Sequence, residues 1–216
     1  MKRFPAWTRR RVVQMLVGNL FIGLGVALFR MAGFGTDPFS SMNLAISGGI
    51  GWTFGNWQLL MNVCLLVVVA LLQRHDLGLG TVVNMVGIGY LADFFCWLFQ
   101  TAAQAPDVLP LRIVYLLLAL VCLPAGLAMY IEASLGMAPY DAMPFVWETY
   151  TRGKLPFAKA RIVDDLTCVA VAVTACVLSH HSIWSVLGVG TICNALLQGP
   201  LTQLFRRRFA IPKAGG

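Results

Sequence analysis

Charged side chains are few in this chain, and several stand where apolar sequence surrounds them. Glu132 closes a long apolar run, Asp141 lies in a short one, Glu148 follows seven residues later, and Arg161 precedes Asp164 and Asp165. An ionised side chain at the middle of a bilayer costs at least about 2.5–3.5 kcal/mol, so each must be paired, hydrated in a cavity or put to use. Arg161 and Asp165 are four apart on an expected helix, the spacing of an ion pair. Asp141 and Glu148 are two helical turns apart and can face one cavity. A carboxyl in a low-dielectric site is suited to taking up and releasing a proton, so Glu132, Asp141 and Asp165, with Arg161, are candidates for coupling solute movement to protons. For Glu148 and Arg161 the bland alternative is a position at the cytoplasmic interface.

Uncharged polar residues supply a second set. Gly80, Asn84 and Gly87 are spaced four and three apart, so they form one helical stripe with Asn84 at its centre, and Gly190 with Asn194 repeats it. Such a stripe lets helices approach closely while Asn bonds across the interface; the same face can hold a solute. Gly35-Thr36-Asp37-Pro38 and Gly136-Met137-Ala138-Pro139 read as helix starts, with Pro in the first turn and Asp37 as a candidate N-cap. The functional alternative is that each start aims its unpaired N–H groups at the protein interior, where an anionic group could sit. Tyr130 and Tyr140 offer hydroxyl contacts or belong to an aromatic belt, and Asp93 near Trp97 faces the same choice. The substrate-binding candidates are therefore Asp37, Asn84, Asn194, Asp141 and Tyr140.

Other chemistries find no constellation. Ser40, Ser41, Ser47, Ser179, Ser182 and Ser185 lack a nucleophile elbow. His180 and His181 are adjacent and cannot face one site on a regular helix, and His75 stands between Arg74 and Asp76. Cys64, Cys96, Cys122, Cys168, Cys176 and Cys193 show no metal or disulfide spacing and read as small apolar fillers. The Gly-x-Gly pairs have no strand before them, which excludes a dinucleotide fold. The expectation is a protein that is not an enzyme and needs no metal or cofactor.

The elements that must position these residues are membrane helices. The 216-residue chain is 58% apolar and only 12% charged, against about 25% charged in an average globular protein, and its mean hydropathy is +0.76. The +7 balance is concentrated in tails holding Lys2, Arg3, Arg9, Arg10 and Arg11, then Arg206, Arg207, Arg208 and Lys213. Basic tails flanking apolar segments place both termini in the cytoplasm, beside anionic headgroups of the bacterial inner membrane, and speak against nucleic acid as a partner. Val12–Phe29 is long for a signal-peptide core and has no convincing cleavage site after it, so a retained first helix is expected.

A helical span takes about 20 apolar residues. Segments 12–32, 56–73, 78–100, 111–133, 160–179 and 182–205 qualify, while Asp37–Trp52 and Pro139–Tyr150 are short and interrupted. Leu77–Asn84 recurs as Leu187–Asn194 with five identities in eight, and Ala32, Gly35, Pro38 and Met42 recur as Ala133, Gly136, Pro139 and Met143. The fold expected is an all-α integral membrane protein of two homologous repeats, each a long helix, a short broken or re-entrant helix and two long helices. The repeats cover 12–104 and 110–205, between basic tails 1–11 and 206–216. Re-entrant short helices give six spans and inverted halves; crossing ones give eight spans and parallel halves. Length favours the first.

The paired Gly-x-x-Pro starts, Pro139-Tyr140-Asp141, Arg161 with Asp165, Leu-Gly-x-Gly-Thr with Asn84 and Asn194, and Gly199-Pro200 together make the chain similar to the bacterial YczE-type membrane proteins, more distantly to the YitT type. The resemblance spans about 12–205 and implies a multi-pass inner-membrane protein with an internal duplication, without implying a substrate. The halves differ at Thr36-Asp37 against Met137-Ala138, and Gly89-Tyr90 stands where the second half has Gly199-Pro200. Paired short, Gly- or Pro-interrupted segments at matching positions point to a transporter's central site, so the first expectation is a permease for a small solute. The alternative is a membrane scaffold that docks a partner through its basic surfaces; a lipid-modifying enzyme is weaker still. Self-association is left open.

Overall fold

A computed structural model describes residues 8–73, 77–102 and 107–210. Lys2, Arg3 and Lys213, and His75 with Arg74 and Asp76, lie outside the described residues. The described residues form helices and connections without a strand: α1 Arg9–Ala32, α2 Pro38–Ile50, α3 Phe54–Gln73, α4 Leu79–Trp97 with a π-helical extension Leu98–Ala102, α5 Leu109–Ala133, α6 Pro139–Tyr150, α7 Phe157–Leu178 and α8 Val189–Phe209.

Apolar length decides most of this list, because in lipid a backbone must satisfy its own hydrogen bonds. Among the described residues, four helices are long and apolar enough to cross a membrane: α1, α3, α4 with its extension to Thr101, and α5. Of the six segments expected to span, these four meet that criterion. α7 has the length but carries Arg161, Asp164 and Asp165, while α8 carries Asn194, Gln198, Thr202 and the Arg206–Arg208 run. The segment expected to be helical from 182 begins as a 3-10 turn, Ile183–Ser185, and the helix starts only at Val189, after Gly188 in extended conformation. The apolar run Ile183–Leu187 lacks the length to form its own helix, and Leu187 packs instead on Phe39, Met42 and Cys176.

α1 and α5 form the central pair. They are antiparallel: the Arg11 guanidinium donates to the Ala133 carbonyl at 3.1 Å at one end, and Arg112 Nε donates to Ala32 at 2.8 Å at the other. Their axes approach closely because Gly126 faces α1 backbone; a Cβ there would lie 2.7 Å from both Gly18 O and Ile22 N. Met15, Phe29 and Tyr130 fill the space around this crossing.

α4 and α8 flank the pair in matching ways. Gly80 N donates to Leu135 O at 2.8 Å, and Gly190 N donates to Phe34 O at the same distance. Gly78 N bonds Thr81 Oγ1 at 3.0 Å, and Gly188 N bonds Thr191 Oγ1 at 3.3 Å. Each helix start is thus met by the loop that follows α5 or α1. Gly136 and Gly35 occupy those loops with φ of 103° and 98°, a backbone conformation that favours glycine.

α2 and α6 span about 20 and 18 Å at 1.5 Å per residue, short of the ~30 Å hydrocarbon core. Their N-terminal turns meet: the Phe39 and Tyr140 rings stack with centroids 4.4 Å apart. α2 then runs alongside α7, and its Gly49 comes against Ser179. α3 packs on α2 and α6, α4 packs on α1, and the two share no extensive interface, whereas α7 and α8 pack together. The outer faces of α3 and α4 present apolar side chains suited to lipid contact.

Candidate functional site

The N-terminal turns of α2 and α6 open into a cavity of about 590 Å³, within the range of small-molecule sites. Six of the eight sequence-selected residues line it: Asp37, Asn84, Tyr140, Asp141, Arg161 and Asn194. The other two are placed differently. Asp165 sits directly beneath the lining at 0% exposure, while Glu132 lies apart at the α5 terminus, bonded to Arg206 Nε at 2.7 Å. Glu148 does not line the cavity either, so its two-turn spacing from Asp141 does not bring both carboxylates into it.

One guanidinium organises the floor. Arg161 Nη1 donates to Asp141 Oδ1 at 2.8 Å and Nε donates to Asp165 Oδ2 at 3.1 Å. The remaining Asp165 oxygen accepts from the Tyr140 hydroxyl at 2.6 Å. The Arg161 carbon centre lies 4.6 Å from the Tyr140 ring centroid, a cation–π arrangement. Buried charges persist when paired and hydrogen-bonded, and each oxygen of Asp165 has such a partner. Gly199 on α8 permits this, since a Cβ there would lie 3.1 Å from Arg161 Cβ and collide with Ala158 O.

Asp37 caps α2, its Oδ1 accepting from Ser40 N at 2.9 Å. Asp141 falls in the first turn of α6. Both positive helix ends are therefore met by the chain's own carboxylates, which removes the reason to seat an external anion there. Asn84 Nδ2 donates to Asn19 Oδ1 at 2.9 Å, so that side chain also ties α4 to α1. The glycine stripe around Asn84 is not one contact face: Gly80 packs on the Leu135–Gly136 backbone, while a Cβ at Gly87 would meet nothing within 4 Å.

Asn194 repeats the Asn84 position without repeating its bond. Its Oδ1 is buried with no hydrogen-bond partner, and Gln198 Oε1, one turn along α8, is in the same state. Gln198 also lines the cavity and was not singled out by sequence, although its four-residue spacing from Asn194 could have flagged it. Arg30, Ser40, Gln58 and Asn62 complete the polar lining; Arg30 is bonded to Asp93 at 2.7 Å. The opposite wall is apolar. Leu59 on α3 and Val86 on α4 line it while remaining 60% and 61% exposed, so the cavity opens sideways where α3 and α4 fail to pack.

Uncharacterised proteins surround this chain in sequence. It is 25% identical over 192 residues to "Uncharacterized protein YyaS" of Bacillus subtilis, covering 88% of this chain and 89% of that one. It is 23% identical to "Uncharacterized membrane protein YczE" of the same organism, covering 91% and 83%, and 24% identical to an uncharacterised Haemophilus influenzae protein, covering 92% and 85%. No solved structure matches it. The model of DUF6198, a family of unknown function, matches residues 9–207, and the chain is a membrane protein belonging to that family.

Proposed function

We propose that the protein is a permease for a small solute in the bacterial inner membrane, with both termini cytoplasmic. One observation carries the reading: six residues chosen from five separate stretches of sequence converge on a single cavity where two short helices begin. Transporter sites are built this way, at the junction of broken helices from two halves.

The matching contacts of Gly80 with Leu135 and of Gly190 with Phe34 support two inverted halves, 12–104 and 110–205. In that arrangement α1, α3, α4, α5, α7 and α8 cross. The extended segments before α2 and α6 lead inward from opposite faces, and each short helix returns to the face it came from. Asp141, Asp165 and Arg161 then form a charge network able to exchange a proton for solute, and Asn84 and Asn194 hold the solute from either half. Alternating access would require the α2–α7 and α3–α6 contacts to exchange between open and closed arrangements.

Reconstitution into liposomes with uptake of a metabolite panel tests the reading, comparing the wild type with Asp141→Asn. Uptake by the wild type that falls at least tenfold in the variant is the expected result. Equal uptake by both would remove Asp141 from the mechanism, and a protein that moves nothing while co-purifying stoichiometrically with a partner would replace the permease with a scaffold.

A further inference from the structure

Resting on the permease reading for its site but not for its ligand class, we infer that the cavity takes a protonated organic amine with N–H donors and an apolar substituent. Asp37, Asp141 and Asp165 surround the floor with three carboxylates, and among the described residues Arg161, shared between two of them, is the single cation bonded to that group. Among the described residues no basic side chain pairs with Asp37. Arg30 stands elsewhere in the lining and is engaged by Asp93. Against three carboxylates stand Arg161 and two positive helix ends of roughly half a charge each, so the floor keeps about one unit of negative charge in a partly dehydrated setting, where a cation is favoured.

Two buried acceptors give this charge a chemical direction. Asn194 is 1% and Gln198 2% exposed, both line the cavity, and the amide oxygen of each has no partner. A buried carbonyl left unbonded costs about 1–3 kcal/mol; both oxygens are sealed behind the lining, and a donor in the cavity removes that penalty when the amide turns toward it. An ammonium with several N–H groups can satisfy both oxygens and the Asp37 carboxylate together; a quaternary ammonium has the charge but no donor. The cavity is far larger than a bare metal ion needs, and its wall of Leu59, Met85, Val86 and Ile88 offers apolar surface continuous with the lipid-facing opening between α3 and α4. That wall fits the amine's carbon substituent.

Calorimetric titration of the full-length protein in lipid nanodiscs tests this with hexylammonium, hexyltrimethylammonium, hexanoate, hexanol and sodium chloride at neutral pH. Hexylammonium should bind saturably, at least tenfold more tightly than each of the others. Asp37→Asn keeps a good helix cap while removing the charge, and should weaken hexylammonium at least tenfold with the unfolding temperature little changed. Gln198→Leu should weaken it several-fold and narrow its preference over hexyltrimethylammonium. Absence of saturable hexylammonium binding, equal or tighter hexanoate binding, competition by sodium at hexylammonium's own strength, or an unaltered Asp37→Asn affinity would each overturn the assignment. Flux is measured separately. Binding without transport in liposomes retracts the permease and keeps the ligand class, whereas Asp141-dependent transport of hexanoate keeps the permease and overturns the class.

Discussion

Arg161 holds two carboxylates at once, and its removal is the most disruptive single change the cavity floor can suffer. Arg161→Met leaves Asp165 fully buried without its cation, a defect worth about 3–5 kcal/mol. Thermal unfolding in detergent should show a drop in midpoint of many degrees, and Arg161→Met combined with Asp165→Leu should recover most of it, because no stranded charge remains. Arg161→Lys keeps the charge but loses the two-sided reach to Asp141 and Asp165, so its stability should fall between. An unchanged midpoint in Arg161→Met would mean that the pair is solvated rather than structural. Spacing alone pointed to Arg161 with Asp165, since a four-residue separation on a helix is a local property. Asp141 as the second partner, 20 residues away, and Glu132 engaged by Arg206, 74 residues away, depend on how helices dock, which no local pattern encodes.

At the scale of elements, close approach of α1 and α5 sets the frame on which the other helices hang. Gly126→Leu places carbon atoms against Gly18 O and Ile22 N, and forced overpacking of this kind costs about 1–3 kcal/mol or more. The expected outcome is a lower unfolding midpoint; Gly87→Leu, at a position with open space around its Cβ, should leave the midpoint within a degree or two. Equal effects at both glycines would mean that the α1–α5 crossing is looser than these contacts imply. Long apolar runs made α1, α3, α4 and α5 legible, because the periodic cost of an unbonded backbone in lipid leaves a helix as the only economical form. The start of α8 was legible less well: Ile183–Leu187 has the composition of a span and the geometry of a turn, and composition carries no information about where a chain must bend to let Ser41 reach Val186 O at 2.9 Å.

For the whole molecule the decisive matter is which way the short helices face. With inverted halves, the turn after α2 lies outside the cell and the turn after α6 inside; with eight spans both lie inside. A single cysteine at Trp52, an exposed position, in a background lacking the six native cysteines, should be labelled by a membrane-impermeant maleimide added to intact cells. One at Lys154, also exposed, should react only after permeabilisation. Labelling of Trp52→Cys only after permeabilisation would overturn the inverted halves. Sequence by itself determined that this is an all-helical membrane chain, that two of its helical segments are short and interrupted, and that a handful of polar residues on them and on α4, α7 and α8 need company. Those conclusions follow from composition and spacing, which act along the chain. Tertiary structure alone decided that Asp141 is held by Arg161, that Asn84 is satisfied by Asn19 while Asn194 is not, and that the cavity opens between α3 and α4. The physical reason is that hydrogen-bond satisfaction and packing are settled between segments far apart in sequence, where side chains of the same type at matching positions meet different neighbours.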